Sequence, residues 1–430
     1  MKTNFIQYGY LMNYFESEYF TYKNNKLFCE NVNLENIAVE LGTPTFAYSK
    51  KFFVDHFTSF ENVFKDIRHK IFYASKANFN INVIKIFNQL GAGIDVNSAG
   101  EFYRAQEAGV SPKDMIMSGV GKTDEEIKLA LENEILLLKA ESIQEINRIN
   151  DIAKSLNIIA PLAIRVNPNV DPATHPYIST GLAENKFGID ETLAKQIFID
   201  ASQLSNIELL GIDMHIGSQV TTIQPFVDAV GKLINLVNEL KNKGILLKHI
   251  DIGGGMGVKY NDEKTFSIEE FAYALLPILK QTNCEIFFEP GRALTANGGV
   301  LLAKVLYTKN NLDKNFLVVD AAMTDLLRPS IYRAYHHIQP LEIKNNEDIE
   351  ADIVGPVCES GDFLAKNRNI TKCDKNDLIA IMSTGAYGMV MSSNYNGRRR
   401  AAEILVDNDK FFVIRQRETF EQLIQNEFLL

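Results

Sequence analysis

The chain has 430 residues, too many for one compact core, so two domains are expected. Hydrophobic residues at 46% and charged residues at 23% describe an ordinary globular protein. A formal charge of -10 argues against nucleic acid or an anionic membrane as partner, and the one basic run, Arg398-Arg399-Arg400, is too short to alter that. The four cysteines, Cys29, Cys284, Cys358 and Cys373, lack metal-ligand spacing, so no metal is expected and a reducing cytoplasm suits them better than a disulfide framework. The opening Met1-Lys2-Thr3-Asn4 leads into no continuous apolar segment, and no later run approaches the roughly 18 apolar residues of a membrane span.

In chain order, a strand-like piece at 27–29 lies in an N-terminal segment (1–44) expected to pack with the C-terminal part of the chain. From 45 to 295 short apolar runs alternate with amphipathic stretches. The runs predict strands at 71–75, 93–96, 115–118, 135–138, 162–166, 211–216, 249–252 and 285–288. Between them the spacing predicts helices at 99–108, 124–132, 142–155, 191–204, 224–242 and 268–281, with Thr123 a natural cap ahead of Asp124-Glu125-Glu126. Such alternation suits either a doubly wound sheet or a TIM (β/α)8 barrel. The count of eight favours the barrel, as does the position of Lys76, Asp95, Ser118, Asn167, His215, Gly253 and Glu289 at or just past the C-terminal ends of strands, where barrel enzymes build their sites. After 295 the rhythm changes to β-like runs at 300–307, 316–320, 352–354, 378–382 and 410–414, giving a mostly β C-terminal domain over 296–430. Residues 345–348 read as a surface loop, and the chain shows no internal repeat.

Lys76 stands at the mouth of the first predicted strand. A strand-end lysine is commonly only a solvated charge; in a partly desolvated site it becomes a Schiff-base amine. Gly253-Gly254-Gly255 and Glu289-Pro290-Gly291-Arg292 follow the seventh and eighth strands, where barrels recurrently bind phosphate through close backbone N–H groups, although a tight turn explains a triple glycine equally well. His215 ends the sixth strand and would face the same mouth, where a flat imidazole can stack on an aromatic cofactor and Ser218 can add a hydroxyl to a phosphate.

Six segments in this order closely resemble the fold-type III pyridoxal-phosphate-dependent decarboxylases, and among them the diaminopimelate decarboxylases, over nearly the whole chain. They are Tyr73-Ala74-Ser75-Lys76-Ala77-Asn78, His215-Ile216-Gly217-Ser218-Gln219, Gly253-Gly254-Gly255, Glu289-Pro290-Gly291-Arg292, Cys358-Glu359-Ser360-Gly361-Asp362 and Gly385-Ala386-Tyr387-Gly388. The resemblance implies the fold shared by alanine racemase and ornithine decarboxylase, with pyridoxal 5'-phosphate held by Lys76 and stacked on by His215. It gives Gly254, Gly255, Ser218, Gly291 and Arg292 to the cofactor's phosphate and Glu289 to its ring nitrogen. Asp95 joins the cofactor set with its role open. Cys358 becomes the acid that protonates the carbanion, Glu359 receives the substrate's distal ammonium, and Tyr387 touches cofactor and substrate. Arg328 and Tyr332, assisted by Arg292, match positions that bind the distal carboxylate.

The reaction so implied is decarboxylation of meso-2,6-diaminopimelate to L-lysine and CO2, in a cytoplasmic homodimer whose sites are shared between chains. The alternative is a decarboxylase of another diamino acid or a polyamine precursor, against which Arg328 speaks, because such substrates lack the second carboxylate. Glu289 speaks against a racemase of this fold, where an arginine faces the ring nitrogen. Lys76 together with Cys358 speaks against a catalytically dead regulator.

Overall fold

The computed structural model describes residues 14–172, 180–181, 186–312, 314–344 and 346–430; the opening Met1-Lys2-Thr3-Asn4 and Asn345 of the predicted surface loop lie outside them. Eight strands close on themselves: β1 His69–Ala74, β2 Gly93–Val96, β3 Met115–Met117, β4 Leu137–Ala140, β5 Ala160–Asn167, β6 Ile207–Asp213, β7 His249–Asp251 and β8 Glu285–Phe288. Each pairs in parallel with its neighbour, β4 joins β5, and β8 returns to β1, so the sheet is a barrel without free edges. The helices between them start where the sequence offers caps. Thr123 and Ser267 form capping boxes with Glu126 and Glu270, and Ser98 and Ser142 accept from the backbone three residues on. Lys50–Val63 and Ile81–Gln89 add helices before β1 and β2.

Strand alternation decides what fills the barrel. Phe72, Ile116, Leu137, Ala163, Leu210 and Phe287 form a buried apolar cluster of their own, separate from the core between barrel and helices. Two residues further along the same strand faces come Ser118, Lys139 and Glu289. The interior therefore changes from a greasy plug to a polar layer just below the C-terminal mouth.

One strand was not predicted, and three predicted elements are corrected. Thr45–Ser49, inside the stretch given to the barrel, pairs antiparallel with Gly299–Asn311 and parallel with Ala402–Asp407 in the C-terminal sheet. The fourth strand lies two residues later than predicted, because the Ile135 N–H closes the preceding helix on the Ala130 carbonyl and the strand runs on through the buried Lys139. The sixth begins at Ile207 and stops at Asp213, which leaves His215 in the loop above it. Of the predicted loop 345–348, Asp348 opens the strand Asp348–Val354.

The C-terminal sheet is built on Gly299–Asn311, which also pairs with Lys314–Val319 and Leu378–Ile381. An N-terminal hairpin, Phe20–Lys23 with Lys26–Cys29, docks on it through hydrogen bonds from the Leu27 N–H to the Leu341 carbonyl (2.8 Å) and from the Ile343 N–H to the Asn25 carbonyl (2.7 Å). No helix among the described residues is long and apolar enough to cross a membrane.

Candidate active site

A single 3-10 turn, Ser75–Ala77, follows β1 and lifts Lys76 into the barrel mouth. Its Nζ lies 3.6 Å from Asp95 Oδ2 on β2, with the lysine side chain 37% exposed. Glu101 ties the two strand ends together, its Oε2 accepting from Ser75 Oγ at 2.8 Å and from the Asn97 N–H at 2.9 Å. Burial pulls the Lys76 pKa down, but Asp95 and Glu289 outweigh it and hold the amine above the ordinary lysine range. Burial and the charge of Glu289 push Asp95 up to about 7, against the pull of Lys76. Neither Asp95 carboxylate oxygen has a hydrogen-bond partner.

Beneath this pair lies the barrel's charged layer. Lys139 is completely buried and donates to Asp213 (2.9 Å), to Asp251 and to Glu289. Burial works against ionised Glu289, yet Lys139 and Lys76 prevail and hold it below the ordinary glutamate range. Burial, then the charge of Glu289, drives Asp251 the other way. The cluster thus favours the ionised form at Glu289 and the protonated form at Asp251.

The loops after β6, β7 and β8 meet above this layer. The Gly254 N–H donates to His215 Nδ1 at 3.2 Å, so a neutral imidazole carries its proton on Nε2. Burial, with Lys76 and Arg165 close by, lowers the His215 pKa to about 3 and keeps it neutral. At Gly255 φ is +105°, and a Cβ would stand 2.0 Å from the Gly217 carbonyl oxygen, so only glycine lets these loops close. Arg292 donates from Nη2 to Ser218 Oγ (2.9 Å) and from Nη1 to the Tyr260 hydroxyl (2.7 Å), while its buried Nε has no partner. A small cavity behind these loops is lined by Gly253, Gly254, Gly255, Gly291 and Arg292 on one side and by Phe60, Phe271 and Phe288 on the other.

The C-terminal domain closes one side. The Tyr387 N–H donates to the Ala77 carbonyl at 2.8 Å, one residue from Lys76, and the Arg292 guanidinium lies 4.8 Å from the Tyr387 ring centre. This contact requires Gly385, where a Cβ would fall 1.9 Å from the Thr295 carbonyl oxygen, and it holds Tyr387 in the left-handed region at φ +56°. Arg328 opens the short helix Arg328–Tyr332. It is buried, with its guanidinium 4.6 Å from the Tyr260 ring centre and Nη1 2.8 Å from His336 Nε2. Tyr332 is half-buried on the last turn of that helix. Among the described residues no carboxylate pairs with Arg292 or Arg328, so two buried cations stand side by side on Tyr260, open to an anion.

Cys358 and Glu359 fall elsewhere. Both are exposed on the turn 355–362 of the C-terminal domain, and no described hydrogen bond or ion pair joins them to the barrel mouth. The Cys358 N–H donates to Asn396 Oδ1 at 2.8 Å, and Ser330 Oγ ties the Arg328 helix to this turn by donating to the Gly361 carbonyl at 2.6 Å. The sequence reading passed over Lys139, Tyr260 and His336. Lys139 and Asp251 carried a signal, a charge inside an apolar strand; a lone aromatic in a loop carries none.

The residues present fit pyridoxal phosphate. An amine for its aldehyde, an anionic carboxylate below it, a neutral imidazole, a glycine-lined cavity with an arginine, and unpartnered polar atoms on Asp95 and Arg292 meet at one barrel mouth. Residues 51–296 match the family model described as pyridoxal-dependent decarboxylase, pyridoxal binding domain, so the fold and site define a pyridoxal-phosphate decarboxylase. The chain is 45% identical over 408 residues to diaminopimelate decarboxylase of Aquifex aeolicus, covering 95% of this chain and 97% of that one. It is 46% identical over 407 residues to that of Haemophilus influenzae, covering 94% and 98%. The crystal structure of diaminopimelate decarboxylase from Helicobacter pylori complexed with L-lysine superposes with a TM-score of 0.89 at 40% identity, covering 92% and 99%. The chain belongs to the diaminopimelate decarboxylase family.

Proposed function

We propose that this chain decarboxylates meso-2,6-diaminopimelate to L-lysine and CO2, the last step of lysine biosynthesis. The observation that carries the reading is the pair of buried guanidiniums, Arg292 and Arg328, without a carboxylate partner among the described residues and beside the Lys76 turn. Bound pyridoxal phosphate supplies an electron sink for the pair of electrons left when CO2 departs. Lys76 holds it covalently, and Glu289, kept anionic by Lys139, holds a proton on its ring nitrogen. His215 offers a neutral flat ring, and Gly254, Gly255, Gly291, Ser218 and Arg292 take the phosphate. Asp95, next to Lys76, balances the amine's charge. Arg328 binds the carboxylate that the reaction leaves intact, assisted by Tyr332, Arg292 and Tyr387.

The acid for the carbon that loses CO2 is Cys358, and Glu359 binds the distal ammonium. Their exposure, with no described hydrogen bond or ion pair to the Lys76 turn, supports a homodimer in which each turn 355–362 reaches the barrel mouth of the other copy. Four unpaired thiols fit the reducing cytoplasm.

Arg328→Ala tests the substrate. A charge-assisted bond to the distal carboxylate is worth about 1.5–3 kcal/mol, so kcat/KM with diaminopimelate falls on the order of 10–100-fold. Release of CO2 and lysine measures it, with ornithine as the comparison substrate; unchanged kinetics would place the carboxylate site elsewhere. Mixed dimers test sharing. When inactive Lys76→Ala and Cys358→Ala chains exchange at random, about half the dimers are mixed and each has one intact site, so about a quarter of wild-type activity returns. Zero recovery from mixed dimers, verified by tagged pull-down, rules out the shared site.

A further inference from the structure

We infer that His336 is the positioning residue for the distal-carboxylate site, a fixed hydrogen-bond acceptor that aims the Arg328 guanidinium. The inference rests on the reading of Arg328 given above. His336 is fully buried, and its two ring nitrogens meet partners of opposite kind: Nε2 lies 2.8 Å from Arg328 Nη1, and Nδ1 lies 2.9 Å from the Met382 carbonyl oxygen. A guanidinium has five N–H donors and no acceptor, and a carbonyl oxygen only accepts. Both contacts are satisfied by one species alone, the neutral ring with its proton on Nδ1. A proton on Nε2 would face an arginine N–H and leave the buried carbonyl without this donor, which is costly. Burial first, then Arg328, lowers the His336 pKa in the same sense.

The backbone fixes the ring as firmly. His336 stands two residues before the strand Ile338–Pro340, which pairs with Leu378–Ile381, and Met382 follows that partner strand. The Met382 N–H donates to the His337 carbonyl at 2.8 Å, and Arg368 Nη1 donates to the His336 carbonyl at 2.9 Å. Tyr260 supports Arg328 from its ring face and accepts from Arg292 through its hydroxyl. A long, rotamer-rich arginine thus meets one acceptor and one aromatic face, and the remaining N–H groups of its fork have no carboxylate among the described residues. An arginine held this way meets a carboxylate without first losing rotamer freedom.

The carboxylate concerned survives in the product: L-lysine carries it, and cadaverine, otherwise the same chain, does not. Calorimetric titration of holoenzyme with each separates its recognition from that of the rest of the ligand. His336→Asn keeps an amide N–H for the Met382 carbonyl but is too short to reach Arg328; His336→Gln is long enough to offer Arg328 an oxygen. The expected result is that Asn weakens lysine binding about tenfold, leaves cadaverine binding and cofactor content unchanged, and that Gln recovers most of the loss. Lysine affinity unchanged in His336→Asn while Arg328→Ala loses it overturns the role of His336 and leaves that of Arg328 standing. Equal weakening of lysine and cadaverine marks a structural histidine and overturns it as well. A wild type that does not prefer lysine to cadaverine overturns the Arg328 reading and this inference with it. Should His336→Asn fail to fold, nitrogen-15 spectra of histidine-labelled wild type decide, the His336 signals being those missing from His336→Gln. A protonated Nδ1 with a bare Nε2 supports the assignment, and a proton on Nε2 overturns it.

Discussion

Lys76→Ala loses turnover to background, a fall in kcat on the order of 10^3-fold or more. On the reading proposed above, the variant lacks the amine that would hold the cofactor, and Lys139, enclosed by three carboxylates, cannot replace it. The variant still folds. Lys76 sits on the turn after a strand rather than filling the core, and Asp95, already pushed up to about 7, responds to loss of the amine by binding a proton instead of remaining a buried orphan charge. Circular dichroism and thermal unfolding of the variant stay close to those of cofactor-free wild type, while cofactor washes out on gel filtration. A variant that keeps both its cofactor and its rate would remove Lys76 from the chemistry.

Lys139→Met has the largest effect on stability. The methionine fills much of the volume but leaves Asp213, Asp251 and Glu289 facing one another in a layer closed below by the apolar plug. Breaking a buried ion cluster by removing one partner costs about 3–5 kcal/mol, or a thermal midpoint lower by on the order of 10 °C. The pH dependence has a definite sign. Burial holds Asp213 and Asp251 above the ordinary carboxylate range, so the folded protein binds more protons there than the unfolded chain does. Stability therefore falls as pH rises above the unfolded carboxylate value, and without the ammonium the fall steepens. Midpoints measured across pH 5 to about 9 should diverge from wild type toward the alkaline end. Asp251→Asn added to Lys139→Met should return part of the loss. Equal midpoints at all pH values would mean the cluster is charged differently.

The barrel was legible because strand ends and chemistry coincide. Gly93–Val96 and Glu285–Phe288 stand where the apolar runs predicted them, and the reactive residues just beyond them fell on one rim. Lys139 escaped for the same reason that β4 was placed early: a lysine reads as the end of an apolar strand unless its partners, Asp213 and Asp251, are known to stand across the barrel. Those partners are 74 and 112 residues away along the chain. The His336 contact depends on a carbonyl at Met382, brought near by pairing of two short strands, and no local pattern announces it. Thr45–Ser49 shows the limit for topology. The sequence reading gave no strand there, and its pairing neighbours lie far away in the C-terminal sequence.

That strand also constrains how the protein is made. Thr45–Ser49 leaves the ribosome more than 300 residues ahead of Ala402–Asp407, the parallel neighbour that covers one of its edges. At usual synthesis rates the wait is on the order of tens of seconds. The barrel, whose strands lie wholly between His69 and Phe288, can form in that interval, while Thr45–Ser49 keeps at least one apolar edge unpaired. The newborn chain thus still carries one open strand edge after its barrel is complete, and a nonsense mutation between Ser49 and Ala402 leaves that edge permanently without its parallel partner.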